Sequence, residues 1–398
     1  VFCISIEITA ANVWNVYKIE LLDLRGTRTG ILHYPHTNNQ LINPVLSRGI
    51  NRAGSLTFDI SAAHPLYNYV YRLQCYLRVW SDAELVFECR PISIIEEDDM
   101  KSVTCEGALA YLQDSVQWRK TYHNTTPAAY LQDKINWHNA RVDDPMRQFD
   151  FVNCTVTNST DNVYRVDNDL PTTLENIQKK LVDRLGGYLD VAYNVKRVAD
   201  QDGNIVSETI TRGITYTPEL PELTGQTIRA GVNLLSCAAE TASEDFYTVL
   251  IPLGATLEGS EKPLDISSVN DGHTYVECAE AVKKYGRIWA TKTWEDVTVA
   301  ANLKKYAQAD VNSMFATPAE SIEIAAADLT YTNSKAVEPL RYGRKIYIDA
   351  SRDHVQGWFD CTDEEIHISD PAANKYTLGG RRGTISVAAT RRSVKYYD

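Results

Sequence analysis

The sequence predicts a mainly β protein of the α+β class, with two barrel-like β domains and α+β domains between them. Three observations carry that expectation. Residues 1–105 hold one short alternating segment after another, separated by turn residues and almost free of helical periodicity. After Cys105 apolar residues recur at helical spacing behind recognisable caps. From Thr227 the β texture returns, is interrupted by helical stretches, and resumes at Ser321. A chain of 398 residues also exceeds what one hydrophobic core usually serves, so several domains are expected.

Taken in order, the first β domain spans 1–105. Val16-Tyr-Lys-Ile-Glu-Leu-Leu, Gly54-Ser-Leu-Thr-Phe-Asp-Ile, Cys75-Tyr-Leu-Arg-Val-Trp and Leu85-Val-Phe-Glu-Cys read as its strands, and the alternation of Val1-Phe-Cys-Ile suggests another. An α+β domain follows over 106–220. Leu109, Leu112 and Val116 predict a helix from Glu106. Thr126 with Pro127 starts a second helix. Thr172 with Glu175 three residues later starts a third, stopped by Gly186-Gly187. Strands at Tyr188 and Glu208 form a hairpin through Asp202-Gly203-Asn204. The second β domain comprises 221–256 and 318–398, with strands at Ser321, Lys345, Glu365 and Thr384. Its opening strand is Tyr247-Thr-Val-Leu-Ile-Pro-Leu-Gly-Ala255, an uncharged run that reads as covered on both faces. An α+β insertion occupies 257–317, with a strand at Leu264 ending in Asn270-Asp-Gly, a helix over 273–286 closed by Gly286, a strand from Arg287, and a helix from Thr298 to Phe315.

The formal charge of −12 argues against wrapping nucleic acid by phosphate neutralisation. No run approaches eighteen apolar residues, so no membrane span is expected, and the N-terminus has no basic region of a secretory signal. The eight cysteines stand singly, without a Cys-x-x-Cys pair, and read as reduced core residues. The 23 tyrosines suit half-buried strands and protein interfaces.

No pattern supplies catalysis, a cofactor or a metal. His33-Tyr-Pro-His36 is the closest histidine pair, but Pro35 forbids the helical turn that would put both on one face. Glu96-Glu-Asp-Asp99 places carboxylates on alternate faces and reads as a solvated turn. Cys278, placed within a helix, has no histidine one turn away. Gly-x-Ser-x-Gly, P-loop and dinucleotide fingerprints are absent. The pairs Arg381-Arg382 and Arg391-Arg392 with Lys395 form the one local basic excess. The chain reads as an assembly component rather than an enzyme.

Several stretches, in order, resemble the N-terminal hub region of phage tail-tip proteins, the prophage tail endopeptidase or tail-associated lysin family. They are Asn51-Arg-Ala-Gly-Ser-Leu-Thr-Phe, Val103-Thr-Cys-Glu-Gly-Ala-Leu, Tyr247 to Ala255, Val269-Asn-Asp-Gly272, Lys284-Tyr-Gly-Arg-Ile288, Trp294-Glu-Asp-Val-Thr298 and Tyr376-Thr-Leu-Gly379. Cys89 departs from the family's usual glycine. The resemblance implies a fold like the baseplate hub of contractile-tailed phages. It implies a homotrimer at the distal end of a virion tail, made in the host cytoplasm, that adapts six-fold to three-fold symmetry. Its implied partners are distal tail and tube proteins, the tape measure protein, fibre or receptor-binding proteins, and DNA in passage. The alternatives are a peptidoglycan-cleaving endopeptidase, which the family's name suggests, and a carbohydrate-binding adhesion module.

Overall fold

A computed structural model describes residues 16–158, 163–167, 170–200, 205–241, 246–295, 297–316, 320–331, 337–350 and 355–379. The expected strands at Val1 and Thr384, the Asp202 turn and the C-terminal arginines lie outside these residues.

The first seven strands are β1 (Tyr17–Leu22), β2 (Arg28–His33), β3 (Ile42–Gly49), β4 (Ser55–Ser61), β5 (Tyr76–Ser81), β6 (Glu84–Glu97) and β7 (Met100–Gly107). They form because their apolar residues fall on one face: Leu56, Phe58 and Ile60 of β4 are buried while the residues between them are not. Gly107 ends β7 where the backbone of Ala53 crosses, and a Cβ there would stand 1.9 Å from the Ala53 carbonyl oxygen. Only glycine fits that crossing.

A helical block follows. Ala108–Asp114 is a 3-10 helix and not the α-helix that Leu109, Leu112 and Val116 predicted. Ala108 to Leu112 are all buried, and the chain extends at Ser115, which leaves Val116 exposed. Next come β8 (Lys120–Thr125), α1 (Pro127–Asn139), β9 (Asp150–Cys154) and β10 (Val163–Asp167). Both predicted caps are present: Thr126 Oγ1 accepts from Ala129 N at 3.1 Å, and Thr172 Oγ1 from Glu175 N at 3.2 Å. The Thr172 cap starts α2 (Thr173–Ile177), which continues through a π-helical turn at Gln178–Val182 into α3 (Asp183–Leu185). Gly186 and Gly187 end it at φ 67° and 88°. The long hairpin β11 (Tyr188–Ala199) and β12 (Ile205–Thr217) pairs antiparallel, with β9 added parallel to β12.

The last third contributes β13 (Ile228–Arg229) and β14 (Leu234–Thr241), then β15 (Val249–Leu253), β16 (Val276–Glu277), α4 (Ala279–Tyr285), β17 (Trp289–Thr293) and α5 (Ala300–Ala316). It closes with β18 (Glu320–Ala326), β19 (Lys345–Ala350), β20 (Val355–His367) and β21 (Lys375–Gly379). The expected strand at Leu264 is a loop and a 3-10 turn, Ser267–Val269. The Asp265 carboxylate accepts from Ser267 N and Oγ and turns the chain there. The helix expected over 273–286 is confined to α4, because Val276–Glu277 is taken up as a strand beside β15. Cys278 accordingly precedes that helix rather than lying inside it.

The strands run in the order β14-β18-β21-β20-β3-β4-β7-β6-β5-β1-β2, with β13 and β19 joined at β20, as one sheet of thirteen described strands. The two β regions are therefore continuous. β20 and β3 pair antiparallel from Asp363 opposite Gly49 to His367 opposite Val45. One apolar cluster serves both, from Ile19, Leu46 and Phe58 to Ile324, Ile346 and Leu378. A second lies under the helices and β11–β12, around Tyr111, Tyr130, Ile177 and Tyr216. A third joins β15 to α5 through Leu250, Ile266, Leu303 and Val311.

That third cluster corrects the placement of the Tyr247–Ala255 stretch. β15 pairs with β16 and β17 and with no strand of the large sheet, so it belongs by hydrogen bonding and packing to the inserted unit. Leu250 turns to α5 while Val249, on the opposite face, is equally buried, which explains the uncharged run.

Candidate functional site

A buried polar site lies at the seam between the two β regions. Arg48 on β3 donates from Nε to Glu364 Oε1 on β20 at 2.5 Å and from Nη1 to the Val86 carbonyl at 2.8 Å. Its guanidinium lies 4.8 Å from the centre of the Tyr342 ring. Tyr342 N donates to Glu364 Oε2 at 2.8 Å, and its hydroxyl reaches both oxygens of Asp190 on β11 at 3.0 and 3.1 Å. One arginine thus ties both β regions to the helical block. Burial pushes the Asp190 carboxyl up, and the Val191 amide and Tyr342 hydroxyl pull against that shift.

A second buried network docks the β11–β12 hairpin on β6. Glu88 is fully buried and bridges Arg78 at 3.0 Å and Arg212 at 2.6 Å, while its amide donates to the Tyr193 hydroxyl at 3.0 Å. A third lies inside the helical block, where Lys134 and Asp167 pair with side chains 1% exposed each. Lys134 also donates to Tyr122 at 2.9 Å, and Asn176 and Tyr130 donate to Asp167 at 2.8 and 3.2 Å. A buried pair of this kind is tolerable only when its remaining hydrogen bonds are satisfied. Because these side chains come from separate elements, sequence reading gave no sign of the three networks.

One arrangement has the look of hydrolytic chemistry. Ser115 Oγ lies 2.7 Å from His138 Nδ1, and His138 Nε2 lies 2.9 Å from the Arg147 carbonyl, which sets Nε2 as the donor. The serine oxygen is also 2.7 Å from Thr173 Oγ1, Ser115 is 4% exposed, and His138 is sealed. No substrate carbonyl can reach that hydroxyl, so the pair pins the end of the 3-10 helix to α1 and α2.

The sequence candidates separate. His33 is buried and its Nδ1 accepts from Leu41 N at 3.1 Å, whereas His36 is exposed in a turn at φ 61°. The histidine that comes near His33 is His64, whose Nε2 is 3.0 Å from the Leu32 carbonyl. Glu96 to Asp99 sit exposed where β6 turns into β7, with Tyr67 donating to Glu96 at 2.7 Å. Among the described residues, no group of three or more His, Cys, Asp or Glu is placed to hold a metal. Cys75, Cys89, Cys105, Cys278 and Cys361 are buried free thiols, and burial pushes Cys75 up to about 11. Among the described residues no helix is long and apolar enough to cross a membrane.

Among the described residues the sheet ends at three strands: β2 and β14 at the ends of the main order, and the short β13, which pairs with β19 alone. β2 and β14 each pair with one strand only among the described residues, and Leu234 at the start of β14 also bridges Ala230. Near these edges apolar side chains stand in solvent: Leu235 at 57%, Val232 at 67% and Leu24 at 49% exposed.

Residues 222–387 match the family model described as prophage endopeptidase tail. No curated protein matches the chain by sequence. The fold is similar to that of prophage tail protein gp18 from Listeria monocytogenes EGD-e, at 14% identity over 92% of this chain and 95% of that one, with a TM-score of 0.56. It is also similar to the 43 kDa tail protein of prophage MuSo2 from Shewanella oneidensis, at 12% identity over 92% and 98%, TM-score 0.59. The tail protein from Neisseria meningitidis MC58 gives 11% identity over 91% and 95%, TM-score 0.54. The chain has the fold of prophage tail proteins, and the resemblance read from its sequence is borne out at that level.

Proposed function

We propose that this chain is a structural subunit of a phage or phage-derived tail tip, three copies of which form a hub ring closing the distal end of the tail tube. The observation that carries the reading is the continuous sheet that runs through both β regions and whose main strand order, among the described residues, ends in β2 and β14, each paired with a single strand and with apolar side chains beside it. Free edges at opposite ends of one sheet suit a head-to-tail ring, in which each copy offers a different edge to each neighbour. Two β regions per copy and three copies give six β regions, the number a six-fold tube requires. The partners of this reading are the tube and distal tail proteins above, fibre or receptor-binding proteins outside, and the tape measure protein and DNA passing through.

The net charge of −12 fits a wall past which DNA must slide, because basic walls would hold phosphates. The family model's name raises peptidoglycan cleavage, but the described Ser–His pair is sealed, and release of soluble muropeptides from purified cell walls would be needed to restore that reading. Light scattering of the purified chain, alone and with its tube partner, tests the ring. A mass of three times 44.7 kDa is the expected result, and a monomer under every condition, assembled tails included, overturns it.

A further inference from the structure

An open cleft of about 670 Å³ lies on the β9 side of the β11–β12 hairpin, away from β2 and β14, with Tyr193 of the Glu88 network on its wall. Its size falls within the range of small-molecule sites, ~300–1,000 Å³. The floor is made by two cross-strand neighbours with almost no side chain, Ala192 and Gly213. Gly213 also pairs with Asp150 of β9, and the ladder skips Val152, which bulges out of register and stands 55% exposed over the floor. A Cβ on residue 213 would come within 2.1 Å of a Val152 methyl, so glycine is what lets valine lie there.

Around this apolar floor stand side chains with unspent hydrogen-bonding capacity. Asn194 and Thr211 face each other across the hairpin, and Asp150 flanks Gly213. Among the described residues none of these three side chains makes a hydrogen bond within the protein. Gln132 of α1 donates to Asn136 at 2.9 Å, which leaves its carbonyl oxygen for the cleft. The lining holds no lysine and no arginine, since Arg212 turns to the other face and pairs with Glu88.

We propose that this cleft binds a short neutral oligosaccharide. A sugar ring offers an apolar C–H face to Ala192, Gly213 and Val152, and a rim of hydroxyls that can both donate and accept. The side-chain amides, the Thr211 hydroxyl and the Asp150 carboxylate match that rim. An anion would meet Asp150 with no cation beside it. One carboxylate is too few for a hard metal ion. A peptide strand recognises free backbone groups, and those of the floor are already spent in the β11–β12–β9 ladder. The site lies within a single chain, so it does not rest on the ring reading.

The test titrates the full chain with neutral trisaccharides built on glucose, galactose and N-acetylglucosamine, and with trigalacturonic acid, followed by saturation-transfer NMR and calorimetry. At least one neutral trisaccharide should bind and the acidic one should not. Asn194→Ala and Asp150→Asn should each weaken binding about fivefold to tenfold, the loss of one hydrogen bond. Thr211→Trp should abolish it while circular dichroism shows the fold retained. The proposal is overturned if no neutral trisaccharide binds, if the acidic one binds as well, or if binding survives both Asn194→Ala and a folded Thr211→Trp.

Discussion

Three buried histidines give the molecule a defined response to acid. Each uses Nδ1 as an acceptor: His33 from Leu41 N, His64 from Leu66 N, and His138 from the Ser115 hydroxyl. Burial depresses all three below the ordinary imidazole value. A group depressed in the folded state gives stability that is full above its unfolded pKa and is lost as pH falls through the folded one. Unfolding free energy should therefore drop from about pH 6.5 downward, with a slope of up to about 1.4 kcal/mol per pH unit for each histidine engaged. Urea titrations at pH 7, 6 and 5 measure it, and His138→Gln should flatten the slope; a pH-independent midpoint would refute the assignment. Lys134 presents a different problem, since removing one partner leaves Asp167 charged and buried. Lys134→Ala should cost about 3–5 kcal/mol, and Lys134→Met combined with Asp167→Leu should cost clearly less, because no lone charge remains. Equal losses in the two variants would show that packing rather than charge sets the effect.

Local rules worked for elements whose signals sit within a few residues. The caps at Thr126 and Thr172, the Gly186-Gly187 stop and the alternation of β4 could be read directly, and each appears where expected. Thr126→Ala should therefore destabilise the chain by about 1 kcal/mol, readable as a lower urea midpoint, while Thr126→Ser should be nearly silent. What the sequence hid was partnership. β15 looked like any buried strand, and nothing in Tyr247–Ala255 says that its neighbours are β16 and β17 rather than the large sheet. The junction of β3 with β20 is set by residues more than three hundred positions apart, Arg48 and Glu364 among them. The histidine pair that mattered was likewise not the local one, His33 with His36, but His33 with His64 across the turn of the sheet. The Ser115–His138–Thr173 junction and the Lys134 network were invisible for the same reason, since the first gathers side chains from three separate elements and the second from four.

At the scale of the whole molecule, the question is what covers the ends of the sheet. A strand edge offers a row of unpaired backbone groups, and soluble monomers usually blunt such edges with charge. Here the described part of the β14 edge carries Leu235 at 57% exposure, with Val232 at 67% in the turn before it. In the proposed ring these side chains meet the next copy, so a charge there must be desolvated without a partner when the ring closes. Leu235→Glu together with Val232→Asp should leave the monomer's unfolding midpoint within about 0.5 kcal/mol of the parent, because both residues already stand in water. The same variant should shift light scattering from three times the chain mass to one, at concentrations where the parent is fully assembled. Arg48→Met gives the contrasting case: it strips Glu364 of its buried partner, so it should lower the stability of the single chain by about 3–5 kcal/mol whether or not a ring forms. If the edge variant still assembles as a trimer, β14 is not the ring contact and the head-to-tail closure through the ends of this sheet is wrong.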